Sequence, residues 1–286
     1  MDTDSILIIN GSPGGISPQR LARLAADATT VLAVDSGANW AHRAKLTPDV
    51  LVGDFDSIDP EIKESFCQDG VELVASPVDK DYSDLDLALG EVWRRYATLQ
   101  TVRLVVCNTL GGRVDHELAA LGSLLTYAKR HPLLPAPLIV EDNCRATLLV
   151  AADAAFIATD TPLASTRCRA DGATVTSTAP RVSSRARTPD MIDLARLDVS
   201  NLAEVGQTLS LIPLLGPAQI TVTGMKWELA AATIDGLSAR GLSNIVTDAD
   251  ARAIVHRGCV LVVAPSKPTG DPHQTLHSPR PQSQGR

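Results

Sequence analysis

No two cysteines in this 286-residue chain are spaced Cys-x-x-Cys, and the five present, Cys67, Cys107, Cys144, Cys168 and Cys259, are scattered singly. An odd number so dispersed argues against a disulfide framework or a structural zinc site and leaves free thiols in a reducing cytosol. A basic excess is also missing. The formal net charge is −7 and the pI is near 5.3, which argues against a nucleic-acid partner, since that would want a basic stripe. No apolar run approaches the roughly 20 residues needed to cross a bilayer. Met1-Asp2-Thr3-Asp4 has no basic n-region for a signal peptide, so the expected setting is cytoplasmic. Nor is there a Gly-Lys-Ser/Thr. The glycine-rich Asn10 to Gly15 is therefore no P-loop, although it remains either a phosphate cradle or a plain turn.

What the chain does have is apolar content, 44% of it, enough for sizeable cores in one large domain or two ordinary ones. Apolar runs at Ile6–Ile9, Val31–Val34, Val50–Val52, Val71–Val74 and Val102–Val106 read as strands. Helical spacing separates them. Pro18 to Ala28 carries Leu21, Leu24 and Ala25, and Gly37 to Lys45 follows. A proline-led helix after Asp59 runs to about Gln68. Leu85, Ala88, Leu89, Val92 and Tyr96 form one buried stripe, and Leu118, Leu121, Leu125 and Ala128 form another. Leu138–Glu141 and Ala146–Val150 read as strands about an Asp142-Asn143 turn. This alternation predicts an α/β fold whose N-terminal sheet is mostly parallel, with helices on both faces.

From Ala151 the helical periodicity fades. Thr208–Ile212, Gln219–Val222, Lys226–Ala230 and Ile254–Val263 are short β-like runs, separated by turn signals at Gly216-Pro217, Thr223-Gly224 and Asp235-Gly236. They predict a smaller antiparallel β-sandwich. The expected organisation is an α/β domain over 1–150, a β-sandwich over 151–265 and a disordered tail over 266–286, where His273 and His277 are tail residues rather than ligands. Residues 164–201 read as an insertion, either a mobile loop or an extra hairpin, with a short helix over Met191–Leu202.

Carboxylates collect where the strands end. The run ending at Val34 leads into Asp35-Ser36-Gly37-Ala38-Asn39, and the run ending at Val52 leads into Gly53-Asp54-Phe55-Asp56-Ser57. In an open α/β sheet ligands sit at these carboxyl ends. Asp54 and Asp56 are two apart and would point the same way from an extended segment. Adjacent carboxylates repel unless a cation lies between them, and Mg²⁺ takes oxygen ligands while leaving room for phosphate oxygens. Asp79-Lys80-Asp81-Tyr82-Ser83-Asp84-Leu85-Asp86 and Gly111-Gly112-Arg113-Val114-Asp115-His116 repeat the theme. Ser83 is a candidate N-cap, with Asp86 completing a box-like pattern, and acids there also complement the helix dipole. Asp81 and Asp84, three apart, can converge on one ligand, whereas Asp86 points off that face.

Gly-Asp-Phe-Asp-Ser, Asp-Lys-Asp-x-Ser-Asp-x-Asp-x-Ala-Leu and Gly-Gly-Arg-x-Asp-His, in this order, resemble the thiamine pyrophosphokinase family. Leu209-Ser210-Leu211-Ile212-Pro213, Gly224 to Leu229 and Ser243-Asn244 resemble its C-terminal domain. The resemblance implies transfer of pyrophosphate from ATP to the hydroxyl of thiamine, with release of AMP. It places Asp54, Asp56, Asp84 and Asp81 on Mg²⁺, with one of these acids as general base. Lys80 and Arg113 become the phosphate contacts, and Asp35, Gly37, Asn39, Ser83, Gly111, Gly112, Asp115 and His116 line the nucleotide site. Gly111 and Gly112 would let the backbone approach the nucleotide closely. Thiamine is cationic and flat and wants an aromatic face. Of the three tryptophans, Trp227 lies in the stretch that resembles the family's thiamine-binding strand, and the resemblance places Ser243 and Asn244 in the loop facing it. The family pairs two chains with the site between them, so a homodimer is expected. Two positions depart from its pattern: Ser36 stands where glycine is usual, and Ser83 stands where threonine is. A pyrophosphokinase for another hydroxymethyl heterocycle such as a pterin, and a non-catalytic nucleotide or metal sensor, are the competing readings. The intact acids favour an enzyme, and Trp227 favours thiamine.

Overall fold

Alternation of apolar side chains makes β1 (Asp4–Ile9) two-faced. Ile6 and Ile8 pack on one side and Leu7 and Ile9 on the other, all buried. The computed structural model describes residues 4–76, 81–96, 102–132, 134–154, 165–168, 174–177 and 195–266. After β1 come α1 (Pro18–Ala26), β2 (Thr30–Val34), α2 (Gly37–Arg43), β3 (Val50–Gly53), α3 (Pro60–Gln68), β4 (Glu72–Ala75), α4 (Asp84–Tyr96), β5 (Val102–Cys107), α5 (Val114–Arg130), β6 (Leu138–Val140) and β7 (Cys144–Val150). Strands β4, β3, β2, β1, β5 and β6 lie side by side in parallel. Leu21, Ala38, Ala41 and Phe66 bring α1, α2 and α3 onto the face of Leu7 and Ile9. Leu85, Leu89, Val92, Leu124 and Tyr127 bring α4 and α5 onto the face of Ile6 and Ile8. The strand order reverses between β1 and β5, the switch point of a doubly wound sheet.

The sheet then turns antiparallel. β7 pairs with β6 across the Asp142-Asn143 turn. Beyond it follow β8 (Ser165–Cys168), β9 (Thr174–Ser177), β10 (Arg196–Asp198), β11 (Thr208–Thr223), β12 (Leu229–Ile234), β13 (Asn244–Ile245) and β14 (Arg252–Pro265). β14 pairs with β7, β11 with β14 and β12 with β11, all antiparallel. This C-terminal strand region has a core of its own around Val199, Leu209, Leu211, Ile220, Val222 and Val260. It is nevertheless hydrogen-bonded into one continuous sheet with the parallel strands.

Three expectations change, and one of two open readings is favoured. Gly216-Pro217 does not end a strand. The chain passes through it as a bulge within β11, with Leu215 at φ 60° and Gly216 at φ 136° and a register shift before Gln219. A bulge accommodates the proline, which has no N–H for the ladder. The insertion is a hairpin in part: β8 and β9 pair antiparallel, and β8 extends the sheet beyond β4. Residues 196–198 are strand and Val199–Asn201 is a single 3₁₀ turn rather than part of a helix, because Arg196–Asp198 finds an open edge on β14. Residues 191–194 lie outside the described residues, as do 267–286. Finally, Leu118 is exposed. The buried stripe of α5 begins at Ala120, and its first turns stand at the rim of a cleft.

Candidate active site

Three loops at the carboxyl ends of β1, β2 and β3, with the starts of α4 and α5, enclose a cleft of about 630 Å³. That is an ordinary size for a small-molecule site. Its acidic wall is made by Asp35, Asp54 and Asp84, each half-buried. Each offers an oxygen within 4.8 Å of the other two. β2 ends at Val34, so Asp35 is the first residue past the sheet. It adopts a left-handed conformation, φ 48°, which turns the chain into α2. Its Oδ1 accepts from the Phe55 N–H at 3.1 Å and so ties the end of β2 to the loop after β3. Asp84 opens α4, and the Ser76 hydroxyl donates to its Oδ1 at 3.2 Å. Burial pushes the Asp35 carboxyl up to about 7, reinforced by the charges of Asp84, Asp54 and Asp56 and opposed by the Phe55 N–H. A carboxyl so displaced marks a place where a cation would relieve the crowding. Hard oxygens in this number suit Mg²⁺.

The structure redistributes the predicted metal set. Asp35, expected to line the nucleotide pocket, belongs to the carboxylate cluster. Asp56 lines the cleft but lies outside the three-oxygen cluster. The segment after Gly53 is not extended: Phe55 has φ 66°, and Asp54 Oδ1 accepts from the Asp56 N–H at 3.3 Å in an Asx turn. The side-by-side placement expected of an extended pair is therefore lost. Asp81 is exposed and lies outside both the cluster and the cleft lining. Lys80 lies outside the described residues.

Ser83 and Asp86 form the capping box. Asp86 Oδ2 accepts from the Ser83 N–H at 3.0 Å and from its hydroxyl at 2.7 Å, and the Asp86 N–H returns a bond to Ser83 Oγ at 3.1 Å. This fixes the start of α4 and with it Asp84. Ser36 lines the cleft and donates its hydroxyl to the Gly11 carbonyl at 3.2 Å.

Other predicted residues turn out to position the site rather than face it. Gly37 is buried, and a Cβ there would collide with the Ile9 carbonyl, so it lets α2 close onto β1. Asn39 bridges from α2 to the next loop, donating to the Ser57 carbonyl at 3.2 Å and accepting from the Asp59 N–H at 3.1 Å. The N–H groups of Gly111 and Gly112 do not face the cleft. Both donate to Glu117 Oε1, at 2.8 and 2.7 Å. Arg113 and His116 do line it. Arg113 is held by Asp115 at 2.6 Å, with both side chains well exposed, and this pairing holds the Asp115 carboxyl below its ordinary range.

Reading the sequence missed Glu141. It is fully buried and accepts from the N–H groups of Asn108, Thr109 and Leu110. Burial pushes it up to about 7 against the pull of those bonds. The available signal was an acid closing the apolar run Leu138–Val140.

Trp227 is 53% exposed, on the turn between β11 and β12. Asn244 fixes its backbone from both sides: Oδ1 accepts the Trp227 N–H at 3.0 Å, and Nδ2 donates to the Trp227 carbonyl at 2.7 Å. Ser243, at φ 54°, donates its N–H to Ser210 Oγ at 3.0 Å. This aromatic is far from the acids of its own chain. β14, β7, β6, β5, β1 and β2 separate β11 from β3. At about 4.8 Å per strand, that is on the order of 30 Å along the sheet. Among the described residues, none beyond Ala120 lines the acidic cleft.

A doubly wound sheet with an acidic cleft beside its switch point, continued by an antiparallel strand region with an exposed tryptophan, defines a two-part α/β class of protein. Residues 21–134 match the family model for the thiamin pyrophosphokinase catalytic domain, and residues 196–258 match the thiamin pyrophosphokinase vitamin B1 binding domain. The chain belongs to the thiamin pyrophosphokinase family. It is 33% identical over 109 residues to thiamine pyrophosphokinase 1 of Oryza sativa, spanning 37% of this chain and 39% of that one. It is 30% identical over 149 residues to thiamin pyrophosphokinase 1 of Caenorhabditis elegans, spanning 50% and 56%. Among solved structures, thiamine pyrophosphokinase from Bacillus subtilis superposes with a TM-score of 0.63 at 18% identity, over 92% of this chain and 99% of that one. The Candida albicans thiamin pyrophosphokinase gives 0.64 at 15%, over 93% and 90%. At these identities the superpositions establish the shared fold.

Proposed function

We propose that this chain is a thiamine pyrophosphokinase: it transfers pyrophosphate from ATP to the hydroxyl of thiamine, in the presence of Mg²⁺, and releases AMP. The observation that carries this reading is the convergence of Asp35, Asp54 and Asp84 oxygens at the cleft wall, in a chain matching both the catalytic and the vitamin B1 binding models. In this reading residues 1–150 form the catalytic part and 151–265 the thiamine-binding part.

Asp35, Asp54 and Asp84 would hold Mg²⁺ through hard carboxylate oxygens. When bound, the ion neutralises charge building on the phosphate chain. Arg113, at the cleft rim, offers a planar guanidinium suited to bidentate phosphate contact, and Asp115 keeps it oriented until then. Asp56 stands on the cleft wall outside the three-oxygen cluster, the placement wanted of a group that accepts the thiamine hydroxyl proton. Trp227, exposed and backed by Asn244, offers the flat face for the cationic rings. Because it lies so far along the sheet from the acids, a complete site needs the acids of one chain and the tryptophan of another. A homodimer supplies both. Free cysteines Cys67, Cys107, Cys144 and Cys259 accord with a reducing, cytoplasmic setting.

The deciding assay incubates purified protein with Mg-ATP and thiamine and separates the nucleotides and thiamine esters by chromatography. The expected products are AMP and thiamine pyrophosphate in equal amounts. AMP only with a pterin or other hydroxymethyl acceptor would overturn the substrate, and ATP binding without AMP would overturn the enzyme.

A further inference from the structure

Five consecutive backbone N–H groups, those of Asn108 to Gly112, end on two carboxylates of the chain itself. Asn108 donates to Glu141 Oε2 at 3.0 Å, and Thr109 and Leu110 donate to Glu141 Oε1 at 2.6 and 3.1 Å. Gly111 and Gly112 donate to Glu117 Oε1. Successive N–H groups converging on an anion form the kind of nest that binds phosphate in other folds. Here the nest is filled from within, so the glycine pair cannot serve as the phosphate cradle. What the two carboxylates hold instead is the shape of the β5–α5 loop, and the residue that follows it is Arg113.

Glu141 also sits where this loop meets the one after β1. Its Oε2 lies so near Gly15 that a Cβ there would collide with it. The Asp142 N–H donates to the Gly15 carbonyl at 2.7 Å, and the Ile16 N–H donates to Asn108 Oδ1 at 3.1 Å. Gly112 lies against Pro13, whose Cδ is 2.9 Å from where a Cβ would be. One loop puts Asn10 to Pro13 into the cleft wall, and the other puts Arg113 and His116 there. A buried carboxylate is a costly way to obtain packing alone, since apolar residues of similar volume do that without desolvating a charge. Asn108, held at φ 53°, adds local strain. Strain and a buried charge at the junction of two cleft loops fit a device that fixes geometry.

We propose that Glu141 and Glu117 are positioning residues for the triphosphate end of the nucleotide: together they set the β5–α5 loop so that Arg113 meets the phosphates. The proposal rests on the reading of the cleft as a nucleoside triphosphate site.

The test uses full-length protein with Glu117→Ala, Glu117→Gln and Glu141→Gln, read by steady-state kinetics in each substrate and by calorimetric binding of Mg-ATP. Glu117→Ala removes the acceptor of two N–H groups from an exposed helix start and leaves the fold intact. It should raise KM and Kd for Mg-ATP about tenfold, the effect of one charge-assisted hydrogen bond, with KM for thiamine within about twofold. Glu117→Gln keeps an amide oxygen for both N–H groups and should restore most of the affinity. Glu141→Gln places an NH₂ against a backbone N–H and should weaken Mg-ATP at least as much, while lowering the melting temperature. Unchanged affinity for Mg-ATP in folded Glu117→Ala and Glu141→Gln would overturn the proposal, as would an equal rise in KM for both substrates. If wild-type protein binds Mg-ATP but gives no thiamine pyrophosphate, the functional reading fails, while the Kd series still decides the positioning role. If it does not bind Mg-ATP, both fail.

Discussion

A Cβ on Gly53 would lie 2.6 Å from Asp35 Oδ1 and 3.4 Å from Asp84 Cγ. Gly53 is also at φ 142°, a conformation that L side chains rarely adopt. The last residue of β3 is therefore the floor on which two of the three clustered carboxylates rest. Gly53→Ala should cost about 1–3 kcal/mol of stability from backbone strain. It should also weaken Mg²⁺ binding by displacing Asp35. Calorimetric titration of Mg²⁺ alongside urea denaturation checks both, and an alanine variant with normal Mg²⁺ affinity would remove Asp35 from the metal site.

Asp54→Asn should lower turnover by about a thousandfold while leaving the melting temperature near that of the wild type, because it removes a ligand charge worth several kcal/mol from a half-buried wall. Mixing this variant with Trp227→Ala carries the test to the assembly. If each complete site takes acids from one chain and tryptophan from its partner, the mixed dimer regains one intact site. Assayed with thiamine well below its KM, where Trp227→Ala alone is about tenfold impaired, re-associated subunits should then recover about a quarter of wild-type activity. No recovery would show that the acids and the tryptophan act within one chain.

Trp227→Ala should weaken thiamine binding about tenfold and ATP binding little, as expected for loss of one cation–π face. Because Trp227 is 53% exposed, stability should change by no more than about 0.5 kcal/mol, where a core tryptophan would cost about 3–5 kcal/mol. Calorimetry on each ligand and a thermal melt separate the two outcomes.

Glu141 gives a pH signature. Its carboxyl is raised to about 7 in the fold, chiefly by burial. The folded state thus holds its proton more tightly than the unfolded chain does. Its contribution to stability is complete below the unfolded value and is lost as pH rises through about 7. Stability of the wild type should fall across that interval relative to Glu141→Gln, which has no titrating group at the position. Urea denaturation of both proteins between pH 4 and pH 8 measures the difference, and parallel profiles would show that Glu141 is not so displaced.

The elements that could be read from the sequence were those in which neighbours along the chain set the outcome. Val31–Val34 and Val50–Val52 are strands because continuous apolar runs are buried on both faces. The Ser83–Asp86 box caps α4 because its partners are three residues apart. Leu118 misled because helical spacing gives the direction of a stripe but not where the sheet beneath it ends. The glycine pair misled because both of its N–H groups are taken by Glu117, which the first turn of α5 folds back onto the loop.

Composition, periodicity and the order of the acidic loops were enough to determine a parallel α/β sheet and the edge on which carboxylates gather, while the family was legible only through the resemblance of its motifs. Those properties depend on local backbone preference and on which residues avoid water. Which carboxylates share one point was settled only in three dimensions, where Phe55 turns the chain and carries Asp56 out of the cluster while Asp35 joins it. The distance between Trp227 and those acids was settled there too, because it is set by strand order, and strand order comes from pairings between residues far apart in the chain.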